Sequence, residues 1–299
     1  MSPSSTTISS NSLPIEAPDK ESLIKRNPHA DFPAVQASRP SYPTPPFNLT
    51  KTPNPDWLPG TGASDSSWRQ HALRIVDPNG PNRTTVQNYK LMISTTVPRP
   101  IALVSTVSST GVKNVAPFSF FQAVSQDPPL YSLSFVGQDP NDSLRNVLES
   151  GECCISLVSD WFIEAANYTS INTPPHLSEW ELAGLSPVAS QVVKAPHVGE
   201  SAFSVECKLH SSHDIIGKSG KRSATLVLVE AVMFHVREDA VDEAGVTADA
   251  GVLRAIWRGG GITYGVCANA WELPRPETWR VEREREDVKK LDKKTNGAA

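Results

Sequence analysis

The chain has 299 residues, 38% of them hydrophobic, enough for one large domain or two small ones with a sizeable core. Its formal net charge is only −4, so no basic footprint points to nucleic acid or to an anionic membrane. No apolar run approaches the roughly 18 residues of a spanning helix, and the N-terminus lacks the charged-then-apolar order of a secretory signal, so the expectation is a cytoplasmic protein that acts on small molecules.

Residues 1–66 hold 12 of the 26 prolines with many Ser and Thr, and cannot bury enough apolar surface to offset their ordering entropy. They read as a largely disordered arm, in which Phe47, Leu49, Trp57 and Leu58 could drape short stretches over a folded domain spanning 67–272. That domain is rich in strands. The alternation in 101–107 predicts a half-buried strand, and the turn chemistry of Ser108, Ser109, Thr110 and Gly111 returns a second one at 114–118. Further strands are expected at 130–136, 153–158, 203–210, 224–237 and 262–267. Short helices fill the gaps. In 142–150, Leu144, Val147 and Leu148 follow helical spacing, with Asp142 to cap the start and Gly151 to end it. A second helix fits 160–167 behind an acidic cap, and Ser178 with Glu181 makes a capping box for a third that Gly184 closes. Many strands with few, scattered helices predict a mainly β, closed antiparallel barrel with short helical insertions rather than a doubly wound parallel sheet. Residues 273–299, with eight basic and six acidic side chains, read as a solvated helical tail.

Several chemistries find no support. Cys153, Cys154, Cys207 and Cys267 form no Cys-x-x-Cys pair, adjacent Cys153 and Cys154 would point to opposite faces of a strand, and buried reduced thiols are the simplest reading. The histidines show no metal-binding pairing on one helix, and no Gly-x-Ser-x-Gly elbow is present. Arg258-Gly259-Gly260-Gly261 lacks the spacing and the following helix of a dinucleotide loop, and a tight entry into the last strand explains its glycines as well as a ligand does.

The informative text is Pro98-Arg99-Pro100-Ile101 into the first strand, Asn114-Val115-Ala116-Pro117-Phe118-Ser119-Phe120-Phe121, Asp127-Pro128-Pro129-Leu130, and Asp142-Ser143-Leu144-Arg145-Asn146. Around Ser119, amides and a hydroxyl could meet the polar edge of a planar ligand while aromatic rings supply an apolar wall. A helix start at Asp142 offers amides, the Ser143 hydroxyl and the Arg145 guanidinium to an anion. In order and spacing these segments resemble the flavin reductase-like family, over roughly residues 85–272, with Arg258-Gly259-Gly260 and Tyr264 similar to its closing segment.

The resemblance implies an FMN-binding split barrel, a homodimer with the flavin near the subunit interface, and hydride transfer from NAD(P)H to FMN, with FAD possible in its place. No catalytic acid or base is then required, because the protein's tasks are stacking and alignment. The implied flavin contacts are Asn114, Ala116, Pro117, Phe118, Ser119, Phe120 and Ser125 for the ring and ribityl chain, and Asp142, Ser143 and Arg145 for the phosphate. Arg99, fixed between two prolines at a strand start, could reach either the phosphate or the flavin edge. Phe118, Phe120 and Phe121 alternate, so at least one ring faces the core. Where the family usually has Lys-Asp-Ser or Lys-Asp-Thr, this chain has Asn141-Asp142-Ser143; Arg145 or Arg99 is the replacement cation, and a loosely held flavin is implied. A flavoredoxin-like electron carrier and a non-catalytic flavin-binding protein are the alternatives. No nucleic acid, membrane or metal partner is expected.

Overall fold

The computed structural model describes residues 28–296, with side chains through 291. Seven strands form the main sheet: β1 (Ala102–Val107), β2 (Lys113–Phe118), β3 (Phe121–Gln126), β4 (Pro129–Val136), β5 (Glu152–Leu157), β6 (Phe203–Ile216) and β7 (Arg222–Val236). They pair in the order β2-β1-β5-β6-β7-β4-β3, antiparallel throughout.

Strand alternation feeds two cores. Ala102 and Val104 turn to one face, where Leu133, Phe135, Val205 and Val227 meet Leu144 and Val147 of helix α2 (Asp142–Ser150). Ile101 and Leu103 turn to the other, against Val115, Val158, Phe162, Trp180 and Ile256. Both faces of β1 are covered, not one as the half-buried expectation had it, because clusters pack on either side of it. Its two polar residues are buried with partners. Ser105 donates to the Pro196 carbonyl, and Thr106 accepts from Asn146 of α2 at 2.9 Å.

The ladder has an unusual pair of ends. β2 and β3 lie at opposite edges of the sheet, yet only Ser119 and Phe120 separate them in the chain. Three residue steps span at most about 11 Å, so the sheet curls until its edges approach at a seam. There the Ser134 amide donates to the Phe120 carbonyl at 2.9 Å. The mainly β, antiparallel expectation holds; among the described residues no strand pairing joins β2 to β3, and closure into a barrel is not shown.

A three-stranded sheet borders the seam, in the order Tyr264–Val266, Ile256–Arg258, Arg99–Pro100. Its turn carries Gly260, where a Cβ would stand 2.9 Å from that of Ser94, and Gly261 in the left-handed region at φ +60°. The glycines therefore let the turn sit against helix α1 (Thr85–Thr95). Asn48–Thr50 of the arm pairs in parallel with Asn269–Trp271, and the Tyr42 hydroxyl donates to Asp160 at 2.7 Å. Leu49, Trp57 and Leu58 are exposed. The tail contains the helix Glu286–Asn296; residues 1–27 and 297–299 of the expected arm and tail lie outside the described residues.

Local expectations needed correction where pairing or capping decided the outcome. Strand β3 was not expected, and β6 runs past 210 to Ile216 through polar Ser211, Ser212, His213 and Asp214, because β7 continues the ladder opposite them. The cap of helix α2 lies one residue earlier than expected. Asn141 is the N-cap, its side chain accepting from the Leu144 amide at 2.9 Å, and Gly151 ends the helix with φ +71°. Ser178 forms no capping box and instead donates to the Lys113 carbonyl. Asp160 binds the Arg254 guanidinium rather than capping helix α3 (Ile163–Tyr168). Cys153, Cys154 and Cys207 are buried and reduced as expected, with Cys153 and Cys154 in different clusters, but Cys267 is exposed.

Candidate functional site

Two depressions open at the two ends of β2, and they divide the expected site residues between them. The first, about 190 Å³, lies at the seam and is lined by Arg99, Pro117, Phe118 and Ser119 from the expected set. The second, about 160 Å³, is bounded by the Ser108–Thr110 turn, Asn114, Asp142 and Arg145. Five residues of strand at about 3.3 Å rise put these ends roughly 16 Å apart. Ala116 and Phe120 are half-buried along that strip, whereas Ser125 is exposed on edge strand β3 and lines neither depression. Phe118 meets Phe135 edge-on at 4.8 Å and Phe121 stacks on Tyr131 at 5.6 Å, so both rings are tied into the core packing.

At the seam, Arg99 is 5% exposed and its guanidinium is clasped by backbone oxygens. It donates to the carbonyls of Ile93, Thr96 (2.7 Å) and Gly259 (2.7 Å), and more loosely to the Ser119 hydroxyl at 3.4 Å. Burial lowers its pKa from the ordinary guanidinium value, and the nearby Arg258 cation adds to that. The carbonyls come from the end of α1 and from the glycine turn, so Arg99 fastens those two walls together. Arg258 lies over the Tyr264 ring at 4.1 Å and donates to the Gly261 carbonyl at 2.6 Å. Tyr264 in turn donates to Asn167 Oδ1 at 2.6 Å, which leaves the Asn167 amide group able to donate. Tyr89, Ile93, Ile163, Ala166 and Ser170 complete a wall that contains two guanidiniums and no carboxylate.

The other depression carries two carboxylates to one guanidinium. Arg145 pairs with Asp142 at 2.5 Å, and Glu149 also lines the space. Ser143 is buried and accepts from Asn114 at 2.8 Å, so these two expected contacts touch each other. The Leu144 and Arg145 amides are satisfied by Asn141; those of Asp142 and Ser143, the first of the helix, have no partner within it. Asn141, where the family has lysine, is thus occupied as a cap.

Sequence reasoning missed Tyr89, Asn167 and Ser170 in the seam cavity, and it left Tyr264 undecided between site and core. Arg258 and Tyr264 were at least marked by their closing segment. Tyr89 and Asn167 carry no local signal, because helices α1 and α3 reach the seam only through tertiary packing. Among the described residues no group of three His, Cys, Asp or Glu side chains could hold a metal, and no helix is long and apolar enough to cross a membrane.

Comparison with known proteins adds independent findings. A family model described as flavin reductase like domain matches residues 94–255. An uncharacterized protein of Halalkalibacterium halodurans is 39% identical over 194 residues, covering 64% of this chain and 91% of its own. Among solved structures, nitrilotriacetate monooxygenase component B from Bacillus cereus is 34% identical with a TM-score of 0.65, covering 68% of this chain and 100% of that one. A flavin reductase with a split barrel domain from Shewanella frigidimarina, 22% identical with a TM-score of 0.57, covers 66% of this chain and 94% of its own, and speaks for the fold.

Proposed function

The chain belongs to the flavin reductase-like family, and from that premise we propose that it binds FMN and passes hydride to it from NAD(P)H, as a cytoplasmic homodimer. The observation that carries the reading is that strand β2 links the helix-start donors at Asp142 and Ser143 to the polar and aromatic seam at Ser119, with a depression at each end. The donor set fits a flavin in kind: hydroxyls of Ser108, Ser109 and Thr110 with helix-start amides suit a phosphate, against which the Asp142 and Glu149 carboxylates work, and Ala116 to Phe120 offer an apolar wall with a hydroxyl at its end. When bound, the flavin supplies the two-electron chemistry. The chain's own residues bind and align it: Asn114, Ser143 and Arg145 at one end, Pro117, Phe118, Ser119 and Phe120 at the other, with Arg99 holding the seam walls in place. Because Arg145 is already paired with Asp142, the phosphate gains less from it than from an unpaired cation, which favours an exchangeable flavin. The likeness to a monooxygenase component extends the proposal to release of reduced flavin to a separate oxygenase. Residues 67–272 form the proposed functional unit, with 1–66 and 273–299 as appendages.

Titration with FMN and riboflavin tests this reading. Replacing both Ser143 and Arg145 by alanine should weaken FMN binding by about 2 kcal/mol, less than the 1.5–3 per charged hydrogen bond would sum to, because Asp142 already holds Arg145. Riboflavin, without a phosphate, should lose almost nothing. Steady-state oxidation of NADH and NADPH with excess FMN checks the hydride step; no oxidation of either would leave a carrier or a binding protein.

A further inference from the structure

Away from both depressions, a loop is fastened to the main sheet by two carboxylates. Residues 189–196 lead into the short strand His197–Val198, which pairs with Pro187–Val188, and no residue from 189 to 197 lines either depression. The Gln191, Val192 and Val193 amides donate to the buried Glu206 carboxylate of β6 at 2.7, 2.6 and 2.9 Å, and the Lys194 amide donates to Glu152 of β5 at 3.0 Å. Beneath the loop, Val193 and Ala195 close over Cys154, which is fully buried.

A histidine pair sits where this loop joins its strand. His235 Nε2 meets Glu206 Oε1 at 2.6 Å, and the His197 ring stacks on His235 with centroids 4.5 Å apart and planes 20° apart. Two rings this close cannot both be charged cheaply, and the carboxylate favours the proton on His235. Burial first and His235 second hold His197 below the ordinary imidazole value, against a weaker pull from Glu206 and the Val198 backbone. Of the other groups around the pair, the Cys154 thiol beside Cys153 on β5 is pushed up by burial and stays neutral, Glu152 is engaged by the Lys194 amide, and Glu200 is turned to the Ser186 amide. Glu206 and His235 lie on paired strands β6 and β7, so their bond persists when the loop lifts. His197 alone changes surroundings on opening.

We propose that residues 189–197 form an acid-opened flap over Cys154, lifted by protonation of His197 against the stacked His235. The closed flap keeps His197 neutral, whereas the open flap lets it take a proton at the ordinary value, so closure weakens as pH falls through about 6.5. Down to about pH 5 one proton can raise the open fraction by at most about 30-fold. Glu206, held at about 2, adds little in this range.

Hydrogen exchange of the full-length protein tests the flap, read at the Gln191, Val192 and Val193 amides and corrected for intrinsic rate. Between about pH 7.5 and about pH 5 their protection should fall by about 10- to 30-fold, while the amides of β1 and β5 keep theirs. Over the same range Cys154 should become open to a pyridyl disulfide, with the buried Cys153 and Cys207 still protected. His197→Phe keeps a stacked ring without a titratable charge and should hold the protection constant. Imidazole NMR of the wild type needs no variant: His197 should titrate below the ordinary value. Protection independent of pH in the wild type, an equal loss in His197→Phe, or His197 titrating at or above the ordinary value would each overturn the proposal. Labelling of Cys153 and Cys207 together with Cys154 would also overturn it, because acid would then be opening the whole sheet.

Discussion

Arg99 and Arg145 stand at the two ends of one strip of strand, and they keep their charges in opposite ways. Arg99 is buried and held by backbone carbonyls from α1 and from the glycine turn. Arg145 has 44% of its side chain exposed and is held by Asp142, three residues away on the same helix. A charge clasped by backbone dipoles cannot leave without stranding buried acceptors, so it acts as architecture. A charge paired locally with another charge in water can exchange partners at little cost, which suits a contact for a ligand that comes and goes. Glu206 shows the first arrangement with the sign reversed: buried on β6, it accepts from the amides of Gln191 (2.7 Å), Val192 (2.6 Å) and Val193 (2.9 Å) and from His235 (2.6 Å).

The strongest way to break this contrast is to remove each arginine. Arg99→Ala should cost about 3–5 kcal/mol in urea unfolding, because two buried carbonyls and one part-buried carbonyl each lose a charged donor at roughly 1–3 kcal/mol, less than additively. Arg145→Ala should cost no more than about 1 kcal/mol, as exposed ion pairs do. Similar losses for both would refute the distinction.

Acid titration extends it to Glu206. The surrounding amides and His235 hold the carboxyl at about 2, against an ordinary 4.5, despite a burial that pushes the other way. A depressed carboxylate contributes stability that is complete above the unfolded value, so the loss should develop as pH falls from about 5 towards 2. Its full size is about 3 kcal/mol at 1.36 kcal/mol per unit. Glu206→Gln should flatten that part of the stability profile; an unchanged slope would show that the amides do not hold the charge.

A fragment of residues 67–272 tests whether the arm belongs to the architecture. It loses the Tyr42 contact to Asp160 and the Asn48–Thr50 ladder, together worth about 1–2 kcal/mol for a few exposed hydrogen bonds, and should still melt cooperatively. Insolubility would mean that the arm completes the core or the proposed dimer.

The smallest effect sharpens the Arg145 end. Asn141→Lys supplies the charge that the family has there, but it also removes the cap on Leu144. Stability should fall by about 1 kcal/mol, while FMN affinity rises by about 0.5–1 kcal/mol for a partly solvated contact and loses that gain at high salt. Riboflavin affinity should not move. A gain shared by riboflavin would remove the phosphate from this end.

How much of this was legible beforehand depended on the range of the interaction responsible. Strands β1, β2, β4, β5 and β7 could be read because each is a short run rich in apolar residues that become buried, and α2 because Leu144 and Val147 repeat at helical spacing before Gly151. These are local signals, carried by the residues themselves, and with the ordered motifs from Arg99 to Arg145 they were sufficient for the family. Strand β3 was not legible: Gln122, Ala123, Val124, Ser125 and Gln126 are all exposed, and only the ladder with β4 makes them a strand. The extension of β6 to Ile216 has the same origin in β7. At the site, the residue types from Asn114 to Ser119 were marked in advance, but their division between two depressions was decided by the curl that brings the β2 and β3 edges together. The role of Arg99 was the least readable of all. Its partners are the carbonyls of Ile93, Thr96 and Gly259, and a backbone oxygen is the same in every residue, so only the packing of α1 and the glycine turn around the seam could assign it.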